Sequence, residues 1–152
     1  MRLLLMIPAL SLVLAAPVLG QDYEPLLQLN NYCRNSLWVS DGNETENTPP
    51  VFELKTGTAY VRPIVGIGNV LGVTRSKDYY DVNNPKLILG TSVTMGTLWW
   101  TVSPLDGDPF KGDKFSITTP KSTNCGNATG YDNLAHNCKV GKYTLQFNPC
   151  IE

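Results

Sequence analysis

Four cysteines, one histidine and a short acidic run are the residues of this chain best suited to chemistry. Cys33, Cys125, Cys138 and Cys150 are even in number, which suits two disulfides in an oxidising compartment. Four cysteines allow three pairings, and spacing alone does not choose among them. Zinc is the rival use of thiolates, but no C-x-x-C pair occurs and the lone His136 stands two residues from Cys138. A Cys33–Cys150 bridge would close nearly the whole domain, worth up to ~4–5 kcal/mol in the chain-entropy picture. A Cys125–Cys138 bridge would close a short loop worth ~3 kcal/mol on the same basis.

Catalytic readings fail on their own terms. Glycoside hydrolysis needs two carboxyl groups flanking the scissile bond at a set separation. The densest acidic stretch, Asp106, Asp108 and Asp113, is interleaved with Lys111 and Lys114 and reads as a solvated turn. Glu53 falls on an expected strand with no partner evident in the sequence. A general base needs a geometric partner, no G-x-S-x-G elbow accompanies His136, and that residue reads as an ordinary surface or loop histidine. Gly66 to Gly72 is glycine-rich but has Leu71 where a dinucleotide motif needs its third glycine, so it reads as a turn between strands. Asp106-Gly107-Asp108 starts like a calcium loop, yet Phe110 stands where a ligand is required. No catalytic residue, metal or cofactor is assigned, and the expectation is a non-enzyme.

The aromatics offer binding instead. Trp99 and Trp100 are adjacent, so on a strand they point to opposite faces. One packs in the core and the other is free for a surface or groove; the competing outcome is that both cover core. Tyr79-Tyr80 lies in a turn-like segment, 77–84, where at least one ring should be exposed. Exposed rings beside Asp or Asn side chains suit sugar stacking and hydroxyl hydrogen bonding, so Trp99, Trp100, Tyr79, Tyr80 and Asp106 are the candidate binding residues.

Residues 1–20 read as a cleaved secretory leader. Met1-Arg2 precedes an almost unbroken apolar run from Leu3 to Val18, and Val18-Leu19-Gly20 places the cut before Gln21. Removal leaves 132 residues, 21–152, with 11 basic against 13 acidic side chains, a balance of −2. No basic face calls for nucleic acid, and the apolar run is too short to span a bilayer comfortably. The expectation is a secreted protein without membrane insertion, extracellular or cell-wall associated and monomeric. In that compartment Asn43-Glu44-Thr45 and Asn127-Ala128-Thr129 become N-glycosylation acceptors on surface loops.

The elements that must position these residues are β throughout. Nine short runs rich in Val, Ile, Thr and aromatics read as strands: 26–32, 36–40, 51–55, 59–63, 70–75, 86–95, 98–103, 114–119 and 143–148. Turn formers separate them, as in Asp41-Gly42-Asn43, Asn83-Asn84-Pro85 and Asp106-Gly107-Asp108-Pro109. No sustained helical stripe appears. The expectation is one all-β domain, 21–152, an antiparallel sandwich or barrel.

Particular strings carry a family resemblance. Leu27-Gln28-Leu29-Asn30-Asn31-Tyr32-Cys33, followed by Ser36-Leu37-Trp38-Val39, resembles the first hairpin of thaumatin-like proteins. Leu98-Trp99-Trp100-Thr101-Val102-Ser103-Pro104-Leu105-Asp106-Gly107-Asp108-Pro109-Phe110 is similar to that family's aromatic-x-x-Ser-x-x-Asp-Gly segment. Its Gly-Asp-Pro-Phe ending, with Cys125, Tyr131, Cys138 and a last strand bearing Cys150, resembles the small fungal branch related to the Blastomyces yeast-phase-specific protein. The resemblance implies a thaumatin-like β-sandwich stabilised by two disulfides, with Cys33 joined to Cys150 and Cys125 to Cys138. Several plant members carry an acidic cleft associated with β-glucan binding. Its positions fall near Ser92 and at Thr101 here, and a hydroxyl cannot supply carboxylate charge. The implied function is a non-enzymatic extracellular effector or surface antigen that recognises a host protein or cell-wall component. A cell-wall β-glucan-binding protein is the alternative, and weak glucanase activity a distant third.

Overall fold

A computed structural model describes residues 24–43 and 45–151; the expected leader, 1–20, lies outside the described residues. The described residues fold through ten strands: β1 (Leu26–Asn30), β2 (Leu37–Gly42), β3 (Val51–Leu54), β4 (Ala59–Pro63), β5 (Asn69–Thr74), β6 (Lys86–Thr94), β7 (Thr97–Leu105), β8 (Lys114–Thr118), β9 (His136–Lys139) and β10 (Thr144–Ile151). One 3-10 turn, Lys121–Thr123, accompanies them. Among the described residues no helix is long and apolar enough to cross a membrane. All nine runs read as strands are strands here, 59–63 with its bounds unchanged and the other eight with shifted ends; β9 is the strand that periodicity did not reveal. Its four residues, His-Asn-Cys-Lys, are too few and too polar for an alternation to register.

The strands form two sheets, β4-β1-β10-β8 and β3-β2-β5-β6-β7-β9. Alternation decides what lies between them. In β1, Leu27 and Leu29 turn inward while Gln28 and Asn30 turn out. In β10, Leu145 and Phe147 lie beside those leucines and are wholly buried. Leu71 and Val73 of β5, Leu87 and Leu89 of β6, and Leu98, Trp100 and Val102 of β7 close the core from the other sheet. Each such side chain contributes about 1.5–3 kcal/mol by leaving water.

The antiparallel expectation needs one correction: β1 and β10 run parallel. A parallel pair needs a long crossover, and here the rest of the domain supplies it. Parallel strands also bring their carboxyl ends together, which explains one bridge directly. Cys33, three residues past β1, meets Cys150 near the end of β10, across a sequence separation of 117. The second bridge joins Cys125 to Cys138, 13 residues apart. These are the pairs that the resemblance implied.

Candidate functional site

Strand β7 sorts its two tryptophans as alternation requires. Trp100 turns inward and is 1% exposed. Its ring stacks on His136 with centroids 3.9 Å apart, and its Nε1 donates to the Cys125 carbonyl at 3.2 Å. Trp100 is therefore removed from the candidate binding residues, because it roofs the core beneath the 125–138 loop. His136 needs the matching correction. It lies in β9, stacked on Trp100, with Nε2 2.8 Å from Asp132 Oδ2, and is not a free surface residue.

Trp99 turns outward from the six-stranded sheet and is 41% exposed. Its cross-strand neighbours are Ser92 on β6 and Asn137 on β9. Opposed side chains on one face approach to ~4.5–5.5 Å at Cβ, so a hydroxyl and an amide flank the indole. Thr101, on the same face, pairs with Gly90, whose missing side chain leaves the neighbouring surface low. Ser92 Oγ accepts from the Gly68 amide at 3.0 Å, which fixes the loop entering β5 beside it. An exposed aromatic plate with hydroxyl and amide groups around it is suited to stacking and hydrogen bonding. None of these flanking groups is a carboxylate or an imidazole.

Tyr79 and Asp106 meet at the buried Lys86 elsewhere on this sheet, and Tyr80 packs against Tyr79. Lys86 Nζ donates to the carbonyls of Asp81 and Asn84 at 2.9 and 2.8 Å, and lies 3.1 Å from Asp106 Oδ2. Asp106 thus neutralises a cation and ties two loops together, which withdraws its carboxylate from the binding role expected of it. Tyr79 also leaves the binding set: its ring is buried over Gly72, and burial first, then the neighbouring Tyr80, raises its pKa to about 12. Gly72, read from sequence as part of a turn, is in mid-strand; Gly66 and Gly68, with φ of 69° and 68°, are the turn glycines. Tyr80 remains half-exposed, edge-on to Tyr79, with its hydroxyl donating to the Pro49 carbonyl. Of the candidate binding residues, Trp99 and Tyr80 therefore present open aromatic surface on the outer sheet face.

The acidic run does not assemble a facing pair. Asp108 Oδ1 accepts from the Phe110 amide at 2.9 Å and the Tyr131 hydroxyl at 2.8 Å, while Asp113 pairs with Arg75. With Asp106 on Lys86, the three carboxylates are each held by different groups and share no partner.

Sequence reasoning missed an ionic link between the sheets. Arg62 Nε on β4 lies 2.7 Å from Asp41 Oδ2 on β2, and the Tyr60 hydroxyl donates to the same oxygen at 2.7 Å. Burial raises the Asp41 pKa despite the opposing pull of Tyr60 and Arg62. Burial, then Asp41, raises Tyr60 to about 12. Strand alternation places Tyr60 and Arg62 on one face, but no local signal names Asp41 as their partner. Both sequon asparagines are exposed; Asn43 Oδ1 accepts from the Thr45 amide at 2.9 Å, and Asn127 Oδ1 from the Thr119 amide at 3.0 Å.

Comparison with known proteins agrees with this architecture. A family model described as Blastomyces yeast-phase-specific protein matches residues 28–147. The crystal structure of the protein elicitor MoHrip2 from Magnaporthe oryzae superposes with a TM-score of 0.68 at 14% identity, covering 84% of this chain and 99% of that one. The thaumatin-like xylanase inhibitor TLXI superposes with a TM-score of 0.64 at 16% identity, again covering 84% of this chain and 99% of that one. At such identities the likeness is one of fold. No curated protein sequence matches the chain.

Proposed function

This chain belongs to the Blastomyces yeast-phase-specific protein family, and from that premise we propose that it is a secreted, non-catalytic thaumatin-like protein acting outside the cell by recognition. Its role is that of a fungal effector or surface antigen whose outer sheet face contacts a host or cell-wall component. The observation that carries this reading is Trp99, held half-open on a rigid strand between Ser92 and Asn137. Placing a binding ring on a paired central strand fixes its orientation before the ligand arrives. The fold is shared with proteins named as an elicitor and an inhibitor, which accords with action on another macromolecule.

The cell-wall glycan reading is the specific form favoured by an indole flanked by hydroxyl and amide groups. The secreted protein, beginning at Gln21, should be retained on insoluble β-1,3-glucan or chitin, and W99A should lose that retention with an unchanged unfolding midpoint. Flow-through on both polysaccharides would sink the glycan form and leave a host protein as the partner to capture. Release of reducing sugar from laminarin, abolished by D106N, would overturn the non-catalytic reading.

A further inference from the structure

The Asn31-x-Cys33 element has no part in the Trp99 surface, yet it forms one wall of a cleft elsewhere on the fold. Asn31 is 1% exposed, and its side chain holds its own loop in place. Nδ2 donates to the Leu54 carbonyl at 2.8 Å and the Asn35 carbonyl at 3.1 Å, while Oδ1 accepts from the Cys33 amide at 2.9 Å. The Cys33–Cys150 bridge anchors the same loop to β10. Tyr32 and Arg34 are thereby pushed outward, and Tyr32 keeps 59% of its surface exposed. They border a cleft of about 710 Å³ whose other wall carries Arg75, Asp113 and Lys114. That volume lies in the ~300–1,000 Å³ range of small-ligand sites.

The charges in this cleft run against the net charge of the chain, which is −1. Three cations face one carboxylate among the described lining residues, and Asp113 is already taken by Arg75. Arg75 is itself fixed, 3.2 Å from Cys150 Sγ and 5.5 Å from the centre of the Phe110 ring. Among the described residues Arg34 and Lys114 have no carboxylate partner. Two free cations, an open tyrosine ring and the polar Asn35 and Ser36 thus share one preorganised hollow.

We propose that this cleft binds an acidic oligosaccharide, with Arg34 and Lys114 pairing uronate carboxylates and Tyr32 stacking on a pyranose ring. Cations supply charge-assisted hydrogen bonds to carboxylate, and an aromatic ring covers the apolar face of a sugar. An acidic peptide would satisfy the same charges; the open Tyr32 ring beside them, 59% exposed, is what favours a pyranose. The site is separate from the Trp99 face and does not depend on it.

The test is calorimetric titration of the mature, disulfide-bonded protein with a galacturonic acid trimer at low salt. A neutral β-1,3-glucan trimer, inorganic phosphate and a short polyglutamate peptide serve as comparison ligands. The uronate trimer should bind best and weaken with added salt. R34Q and K114Q should each lower its affinity about five- to tenfold, Y32A should also lower it, and W99A should leave it unchanged. Absence of saturable binding, equal binding of the neutral trimer, or full affinity in the R34Q/K114Q double variant would overturn the proposal. Phosphate or polyglutamate binding as tightly would overturn the sugar assignment. Ile151 lines the cleft, and Glu152, next in sequence, lies outside the described residues, so E152Q is included. Binding seen only with E152Q would overturn the proposal in favour of a seat for the chain's own carboxylate.

Discussion

Gly72 should be the least replaceable small residue of the sheet. A Cβ built on it would overlap the Tyr79 hydroxyl outright and approach Cζ to 2.7 Å. The obstruction is a buried aromatic ring, so Gly72→Ala must expel Tyr79 from the sheet surface. A tyrosine ring buries at least ~150 Å², worth about 3–4 kcal/mol at ~25 cal/mol per Å². Removing a strand glycine returns about 0.5–1 kcal/mol, leaving a net loss of about 2–3 kcal/mol. For a domain of this size that lowers the melting temperature by about 10 °C. Urea unfolding should show a reduced midpoint at unchanged slope, and the Tyr79 hydroxyl should titrate nearer the ordinary ~10 than about 12. In a Y79A background the same glycine substitution should cost nothing, giving a coupling energy of about 2–3 kcal/mol. Gly90→Ala is the control, since its Cβ would meet only the Thr101 hydroxyl at 3.1 Å. An unchanged midpoint in Gly72→Ala, or additivity with Y79A, would refute the packing argument.

The two disulfides should differ in weight. From sequence separations of 117 and 13, the chain-entropy estimate gives ~4.9 kcal/mol for Cys33–Cys150 and ~3 kcal/mol for Cys125–Cys138. Paired serine substitutions followed by urea denaturation should reproduce that order, and the reverse order would contradict it. Stability should also decline in alkali. Burial raises the pKa of Tyr60 and Tyr79 to about 12, and also raises Tyr131 and Tyr143. The native state therefore holds these protons more tightly than the unfolded chain does. The resulting stability is intact below pH ~10 and is lost as pH rises through about 12. Absorbance of the tyrosinate band should rise later in native protein than in concentrated urea; coincident titrations would refute this. Enzymatic removal of N-glycans should lower the mass in two steps, one lost in N43Q and the other in N127Q, and an unchanged mass would show the sequons to be empty.

Most strands were legible because alternation is a local property: Leu27 and Leu29 around Gln28, or Leu98, Trp100 and Val102 around Trp99 and Thr101, declare their face within a few residues. The split of Trp99 from Trp100 follows from that rule without any tertiary information. Partners distant in the chain were not legible. Nothing near Asp41 announces Arg62, nothing near Gly72 announces the Tyr79 ring, and nothing in Asp106 announces Lys86. Family resemblance supplied the Cys33–Cys150 pair, and the parallel placement of β1 and β10 supplies its physical reason.

The same distinction governs the candidate site. The strand hidden from periodicity, β9, is the one that sets Asn137 beside Trp99. Its register against β7 pairs Cys138 with Leu98, and Cys138 is bonded to Cys125, whose carbonyl receives the Trp100 indole. The short disulfide, the His136 stack and the β7–β9 pairing therefore hold one unit behind the exposed ring. Removing the bridge by C125S/C138S should release β9 from the sheet edge before the larger core yields, because the longer bridge and the β1–β10 pair lie elsewhere. Retention on any Trp99 ligand should then fall severalfold at temperatures where the variant remains folded by circular dichroism. Full retention in that variant would show that Trp99 binds without its β9 neighbour, and would move the polar half of the site to Ser92 and Thr101.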